Sequence, residues 1–310
     1  MSDPRIVLAG GSGFLGQALT RELRSRGYAV VILTRSPQAG AEGVTELAWD
    51  GEQPGPWVEA LDGAAALVNL AGRNINCPHT PANLAELTSS RVNSVRALAA
   101  ALPRLARPPG VWVQAGAAGF YGDTGDRPCA ENAPAGTGPL ADLCRQWEDA
   151  FHAVPPPCPR QVLLRIGFVL GREGGALPVL RQLTRRFLGG AVGNGRQYIS
   201  WIHLADLTRM FIAALEEDLT GTYNAVGPAP VTNAAFMRSL RRACHRPWSP
   251  PAPALAVRLG ARLMGSDASL ALMSSRCRPQ RFQERGFRFA FNHLDAALQD
   301  LCGAGGKAEG

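Results

Sequence analysis

The chain has 310 residues, a formal net charge of +7 and 46% hydrophobic side chains, enough to build a large core in one domain or two unequal ones. Among its 32 basic residues the single lysine is Lys307, which excludes mechanisms that need a buried lysine, such as a Schiff base or a Tyr-x-x-x-Lys pair. The apolar runs are shorter than the roughly 18–20 residues of a membrane span, and the arginines are dispersed. We therefore expect no membrane and no nucleic-acid partner.

The amino terminus and the cysteines indicate the compartment. The first residues lead directly into an apolar run without the features of a signal peptide, so the expected location is cytoplasmic. Seven cysteines are scattered without a C-x-x-C pair, which predicts reduced thiols and no metal site.

The first half of the chain alternates short apolar runs with amphipathic segments. Strands are predicted at 5–9, 29–33, 44–48, 64–70, 111–115 and 161–166. Helices are predicted from the glycine-rich turn to residue 26, at 82–105 and at 140–153. This alternation predicts an α/β fold with a Rossmann-type, doubly wound parallel sheet in residues 1–171.

The rhythm changes after Gly171. Helices are predicted at 175–188, 205–217, 233–245, 254–264 and 293–301, with strand-like pieces at 197–201, 222–225 and 287–291. We interpret 172–302 as a smaller, mostly helical substrate lobe at the carboxyl edge of the sheet, with residues 197–228 returning to the first domain. The last residues, 303–310, are predicted to be a disordered tail.

A glycine turn between the first strand and the first helix is the strongest functional signal. It has the spacing Gly10-x-x-Gly13-x-x-Gly16 in the strand-to-helix context that the dinucleotide fingerprint requires. Gly10 permits the tight turn, Gly13 lets a pyrophosphate approach the backbone, and Gly16 allows close packing of helix on strand. The helix N-terminus then offers unpaired N–H groups to the phosphates.

The end of the second strand indicates which dinucleotide binds. NAD-binding versions usually carry an acid there for the ribose 2′-hydroxyl, whereas this chain reads Thr34-Arg35-Ser36 and has no acid before Glu42. Arg35 can pair with a 2′-phosphate, and the two hydroxyls can donate hydrogen bonds to it. The sequence therefore favours NADP(H) over NAD(H), although Arg35 could also be an ordinary surface arginine.

A set of further motifs carries a family resemblance. They are the opening glycines, Asn69-Leu-Ala-Gly72, Ser90-Arg91-Val92, Phe120-Tyr121-Gly122, Trp147-Glu148, Arg165-Ile-Gly-Phe-Val-Leu-Gly171, Gly174-Gly-Ala, Gly193-Asn-Gly, Trp201-Ile-His-Leu-Ala-Asp206 and Pro279…Gly286-Phe-x-Phe. Together, from residue 5 to 301, the chain resembles an extended short-chain dehydrogenase/reductase. More narrowly, it is similar to the epimerase-like subfamily that includes short-chain dehydrogenase family 39U member 1 and bacterial sugar nucleotide epimerase homologues.

The resemblance implies further site residues and a C-terminal module. Residues 250–302 resemble the short helical module of that subfamily. Three groups of residues are implied to contact the cofactor at the pyrophosphate turn, near the adenine-side ribose and near the nicotinamide: Ser12, Phe14 and Leu15; Leu70, Ala71 and Gly72; Gly167, Phe168 and Val169.

The chain departs from this family where the chemistry should occur. Extended dehydrogenases usually use a Ser/Thr, a Tyr and a Lys, the tyrosine acting as acid or base. Here the hydroxyl position falls in residues 115–118, Ala-Gly-Ala-Ala, and the other two positions align with Leu140 and Cys144. Leucine cannot move a proton, and a thiol lacks the fixed charge that lowers a phenol pKa.

Other groups are weaker candidates for proton transfer. Tyr121 lies on the same loop and is the first candidate, although without a cationic neighbour its pKa should stay near 10. Cys144 on an amphipathic helix is more typical of a small buried apolar residue. His203 and Asp206 fit a structural hydrogen bond at least as well as a chemical role.

Two hypotheses follow from the sequence. The first is an NADP(H)-dependent oxidoreductase or epimerase without the usual Ser/Thr-Tyr-Lys set, acting on a nucleotide-linked substrate or a small carbonyl compound. The second is a non-catalytic NADP(H)-dependent regulator or scaffold, for instance in cell division. The sequence leaves open the substrate and whether the protein is a monomer or a homodimer.

Overall fold

The computed structural model describes residues 4–39, 42–154 and 160–303. Lys307, Cys158 and residues 304–310 of the predicted tail lie outside these ranges. Eleven strands are assigned within them: β1 (Arg5–Ala9), β2 (Ala29–Thr34), β3 (Val44–Ala48), β4 (Ala66–Asn69), β5 (Val111–Ala117), β6 (Arg160–Ile166), β7 (Phe168–Leu170), β8 (Tyr198–Ile199), β9 (Trp201–His203), β10 (Gly221–Ala225) and β11 (Val231–Thr232). The α-helices are α1 (Phe14–Ser25), α2 (Pro81–Ala101), α3 (Pro139–His152), α4 (Leu177–Arg185), α5 (Leu204–Glu216), α6 (Asn233–Ala243), α7 (Ala254–Leu263), α8 (Ser269–Leu272), α9 (Gln280–Glu284) and α10 (Leu294–Cys302).

Seven of these strands form one parallel sheet in the order β10-β6-β5-β4-β1-β2-β3. The direction of winding changes between β1 and β4, so the carboxyl ends of these two neighbours open a crevice where ligands of α/β proteins bind. The Rossmann-type fold with a helical C-terminal region, as predicted from the sequence, is confirmed.

The sheet is covered by helices on both faces, and β1 explains how. Ile6 and Leu8 join the apolar cluster that includes α1 and α5, while Val7 and Ala9 join the opposite cluster that includes α2 and α3. A parallel strand buried on both faces needs such a continuous apolar run. Burial of each large apolar side chain contributes about 1.5–3 kcal/mol, so this strand anchors both layers.

The C-terminal region has its own smaller core. Side chains of β9, α6 and α10 pack together there, with Trp201, Phe236 and Leu298 almost fully buried. Two short sheets, β7 with β9 and β8 with β11, connect this core to the end of β6. This arrangement places the region beside the carboxyl edge of the main sheet.

The predicted strand at 287–291 is wrong. These residues run alongside α5 without strand pairing, because the Asp206 carboxylate accepts hydrogen bonds from the backbone N–H groups of Ala290 (2.7 Å) and Phe291 (3.0 Å). The alternating aromatic residues reflect packing rather than a strand, since Phe287 and Phe289 contact the main core.

Across the described ranges, no helix combines the length and the apolar character that crossing a bilayer requires.

Asp206→Ala should lower the free energy of unfolding by about 2–4 kcal/mol, because it leaves two backbone donors of the C-terminal segment without their charged acceptor. Asp206 is 1% exposed. Urea unfolding followed by circular dichroism measures the change. The matched control is Asp295→Ala, which removes an exposed carboxylate paired with Arg242 and should cost less than about 1 kcal/mol; equal losses in the two variants would contradict the assignment.

Candidate functional site

The glycine turn brings two backbone segments into close contact. A Cβ atom on Gly16 would lie 2.2 Å from the carbonyl oxygen of Gly11, and one on Gly10 (φ 76°) would lie 2.8 Å from Ala71 Cα. At Gly13, the N-cap of α1, the nearest atom would be the Gly10 oxygen at 3.8 Å. Gly10 and Gly16 are therefore fixed by packing, whereas the backbone at Gly13 stays open for an approaching anion.

A groove of about 570 Å³ extends from this turn along the end of β2. Its lining residues are Gly11, Ser12, Gln17, Thr20, Arg21, Ile32, Thr34, Arg35, Ser36, Gln38 and Glu46. The Thr34 hydroxyl links its two sides, since it lies 3.2 Å from Ser12 Oγ and accepts from the Ser36 N–H at 3.4 Å. The three residues predicted to choose the dinucleotide thus meet the glycine turn in one groove.

Arg35 is exposed at the rim of this groove. Within residues 4–39, 42–154 and 160–303 its guanidinium forms no ion pair. An arginine that is not neutralised by a neighbouring carboxylate keeps its N–H groups available for a bound anion.

Glu46 is a lining residue that the sequence reading missed. It lies on β3, beside Ile32 of β2 in the parallel register, and its carboxylate accepts a hydrogen bond from the Gln38 N–H at 2.8 Å. The only available signal was its place on the neighbouring predicted strand, because the acid that selects NAD usually ends β2 itself.

The end of β4 is shaped by a buried amide. Asn69 donates to Ser94 Oγ (3.2 Å) and Gln114 Oε1 (3.0 Å), and its oxygen accepts from the Ala71 N–H at 3.0 Å. These bonds turn the chain so that Ala71 lies against Gly10. Leu70 and Gly72 flank this contact, and their role in holding a cofactor stays a prediction.

Phe14 and Leu15 have packing roles at the start of α1. The Phe14 ring occupies the space beside Gly171 and Gly174, where added Cβ atoms would lie 2.3 Å and 2.2 Å from ring atoms. Leu15 packs against the main core. The Gly174-Gly175 pair of the sequence therefore lets the loop after β7 close onto the glycine turn.

The segment after β6 is held by backbone contacts. Gly167 donates to the Ala225 oxygen at 3.1 Å, and Phe168 donates to the Ser200 oxygen at 2.8 Å. Val169 pairs with Ile202 in the short β7–β9 sheet. This places Gly167, Phe168 and Val169 between the main sheet and the C-terminal core, and their predicted contact with the nicotinamide is not tested by these bonds.

The positions of the usual catalytic set are apolar. Ala115 and Ala118 are buried at the end of β5, and Leu140 and Cys144 are 8% and 4% exposed on α3. Burial raises the pKa of the Cys144 thiol to about 12. The thiol is therefore protonated at neutral pH and is a poor nucleophile.

Tyr121 is fully buried between two polar partners. Its hydroxyl donates to Asn224 Oδ1 at 2.8 Å and accepts from Arg165 Nη1 at 2.7 Å. Burial raises the pKa of this phenol above its ordinary value, although Arg165 opposes the rise. The phenol thus stays protonated at neutral pH, and these partners account for the side chain without catalysis. Its catalytic role remains a prediction.

The partner of Tyr121 belongs to a buried ion pair. Arg165 Nε and Nη2 donate to the two oxygens of Glu148 at 2.9 Å and 2.7 Å, and the side chains are 7% and 4% exposed. The guanidinium also lies 3.5 Å from the centre of the Phe120 ring. This bidentate pair joins α3 to β6 and, through Tyr121, to Asn224 of β10.

His203 and Asp206 connect α5 to the C-terminal region. His203 Nδ1 caps α5 by accepting from the Ala205 N–H at 3.1 Å, so its Nε2–H can donate to Asp300 at 3.3 Å. The imidazole stacks on Phe291, and burial lowers its pKa. These contacts give both residues a structural function.

Among the described residues, no group of three His, Cys, Asp or Glu side chains could hold a metal ion.

Known proteins are similar to this chain in both sequence and fold. Residues 6–144 match the NAD dependent epimerase/dehydratase family, and residues 252–301 match a domain of unknown function, DUF1731. Epimerase family protein ML0860 of Mycobacterium leprae is 37% identical, with 94% of each chain covered. Human epimerase family protein SDR39U1 is 34% identical, with 96% of this chain and 99% of that protein covered.

A solved structure extends the comparison. The crystal structure of human SDR39U1 with NADPH superposes with a TM-score of 0.86, at 31% identity and with 96% of this chain and 99% of that chain covered. The fold and the glycine turn are those of an extended short-chain dehydrogenase/reductase. Within that class, the chain belongs to the epimerase family, which confirms the resemblance seen in the sequence.

Arg165→Met should lower the free energy of unfolding by about 3–5 kcal/mol, because it leaves the Glu148 carboxylate buried without its partner. The control is Arg145→Met on α3, the helix that carries Glu148. It breaks an exposed pair with Asp142 and should cost less than about 1 kcal/mol. Urea unfolding measures both. Comparable small losses would show that the buried pair is dispensable.

Proposed function

We propose that this protein is an NADP(H)-binding oxidoreductase or epimerase that works without the usual Ser/Thr-Tyr-Lys set. The observation that carries the proposal is that the glycine turn of Gly10, Gly13 and Gly16 opens into a groove lined by Arg35, which forms no ion pair within the described part of the chain. The NADPH bound in the crystal structure of SDR39U1 supports the same cofactor here.

The residues present fit the proposed dinucleotide. The open backbone at Gly13 and the N-terminus of α1 suit a pyrophosphate. Arg35, with the hydroxyls of Thr34 and Ser36, suits a 2′-phosphate. Glu46 lines the same groove and could accept from a ribose hydroxyl instead, which keeps NAD(H) as the less favoured alternative.

The two parts of the chain would have different tasks. Residues 1–171, with 197–228, would bind the cofactor, and 172–302 would form the substrate lobe. When bound, the nicotinamide supplies or accepts a hydride. Because the raised pKa of Tyr121 keeps its phenol protonated, this group would act as a proton donor to a substrate oxygen and not as a base. Water is the alternative proton source.

A second function is favoured by one observation. The three positions of the usual catalytic set are apolar or an inert thiol, while the glycine turn remains intact. This combination is what a non-catalytic NADP(H)-dependent regulator or scaffold would need. Purified protein saturated with NADPH and offered a panel of carbonyl compounds and sugar nucleotides separates the two, because an enzyme should oxidise NADPH or epimerise a substrate above background.

Arg35→Glu should weaken NADPH binding by about 10- to 100-fold or more, because it removes a charge-assisted bond to the 2′-phosphate. NADH binding should change little. Fluorescence titration with each dinucleotide measures the two dissociation constants. Arg238→Glu, an exposed substitution on α6, is the control. Equal weakening of NADPH and NADH by Arg35→Glu would refute the 2′-phosphate assignment.

Tyr121→Phe tests the remaining phenol as a proton donor. If it donates in the reaction, kcat on a substrate found in the panel should fall by about 10²–10⁴-fold, with NADPH affinity unchanged. The matched variant Asn224→Ala removes the hydrogen-bond acceptor of the phenol and leaves the hydroxyl. Full activity in Tyr121→Phe would exclude the phenol and leave water as the proton source.

A further inference from the structure

Arg91 on α2 is a partly buried cation that has no acidic partner among the described residues. Its Nη1 donates to the Leu87 carbonyl oxygen at 2.9 Å. Among the described residues, the ionisable groups that act on it are the thiols of Cys144 and Cys77. Burial lowers the pKa of the guanidinium, which nevertheless stays charged at neutral pH. A cation withdrawn from water in this way is usually paired with a carboxylate.

The side chain lies at the carboxyl edge of the sheet. Two serines hold α2 against the end of β4: Ser90 Oγ accepts from the Arg73 N–H at 3.1 Å, and Ser94 Oγ accepts from Asn69. Between them, Arg91 lies over Gly72, where an added Cβ would be 3.1 Å from its Cγ and Cζ atoms. The absence of a side chain at Gly72 thus makes room for this arginine.

Arg91 lies near Cys144, the position that aligns with the usual catalytic lysine. Burial raises the pKa of the Cys144 thiol, and the nearby Arg91 guanidinium lowers that pKa by less. One turn along the same helix, the Trp147 ring centre lies 5.2 Å from the Arg91 guanidinium carbon. A guanidinium over an aromatic face is held in orientation while its N–H edges stay available for two parallel bonds to a carboxylate or phosphoryl group.

We propose that Arg91 forms an anion-binding subsite at the carboxyl edge of the sheet that holds a carboxylate or phosphoryl group of the substrate beside the bound cofactor. The location relative to the cofactor rests on the proposed function, but binding of an anion by Arg91 does not. The subsite returns a fixed positive charge to this edge of the sheet from α2, since α3 has lost its lysine. It assigns the substrate to the class of anionic carbonyl or hydroxyl compounds.

Isothermal titration calorimetry with oxalate and with inorganic phosphate tests the subsite in protein saturated with NADPH, with neutral acetamide as the uncharged probe. Wild-type protein should bind at least one anion and not acetamide. Arg91→Met should weaken anion binding by about tenfold or more, and Arg91→Lys should weaken it less. Arg96→Met, which replaces an exposed arginine of the same helix, should match wild type.

The outcomes separate this proposal from the proposed function. Binding of oxalate alone identifies a carboxylate site, and binding of phosphate alone identifies a phosphoryl site. No anion binding by wild type, or equal binding by Arg91→Met, overturns the subsite even when NADPH binds normally. Failure of wild type to bind NADPH overturns the proposed function, and the same titrations without cofactor then still decide whether Arg91 binds anions. Thermal unfolding confirms that each variant is folded, and Arg91→Lys provides the test if Arg91→Met is not.

Discussion

The buried ion pair between Arg165 and Glu148 is the interaction on which the architecture of the site depends. A charge pair at this depth needs complete hydrogen bonding to offset its desolvation. Arg165 meets this requirement by using two N–H groups for Glu148 and another for the Tyr121 hydroxyl. Because the Tyr121 hydroxyl in turn donates a hydrogen bond to Asn224 of β10, one guanidinium positions α3, β6, the loop after β5 and the edge strand together. Tyr121, which the sequence predicted to face the nicotinamide, thereby helps to hold the sheet against its helices.

A structural feature could be predicted from the sequence when its signal lies in neighbouring residues. The strands around β1 and the turn at Gly10–Gly16 were predictable because apolar runs and glycine spacing are properties of neighbouring residues. The strand expected at 287–291 failed since alternating aromatic residues can follow a helix as well as pair with a strand, and a distant carboxylate, Asp206, decided the outcome. Glu46 was missed for the same reason: only the register of β3 on β2 brings it into the groove. The fold, the glycine turn and Arg35 were therefore predictable from neighbouring residues, whereas Glu46 in the groove and the Arg165–Glu148 pair depend on contacts between distant residues and were not.

The lost catalytic set is easier to understand as a packing change than as three separate substitutions. Leu140 and Cys144 are buried on α3. A lysine at the position of Cys144 would bring a second cation close to Arg91, whose guanidinium lies near enough to lower the pKa of this thiol. Like charges at short range in a site with little water are strongly unfavourable. An uncharged thiol at Cys144 therefore avoids repulsion with the nearby Arg91.

The placement of charge also separates the two candidate functions in physical terms. A protein that only senses NADP(H) needs the glycine turn and Arg35, both of which serve the phosphates. It has no need of the partly buried Arg91 beside Gly72, because a cation withdrawn from water without a carboxylate partner lowers the stability of the folded state. Gly72 makes room for that arginine and Trp147 orients it, so two further residues are committed to keeping it there. This commitment favours a second ligand beside the nucleotide, and with it the interpretation of the crevice as a reaction site.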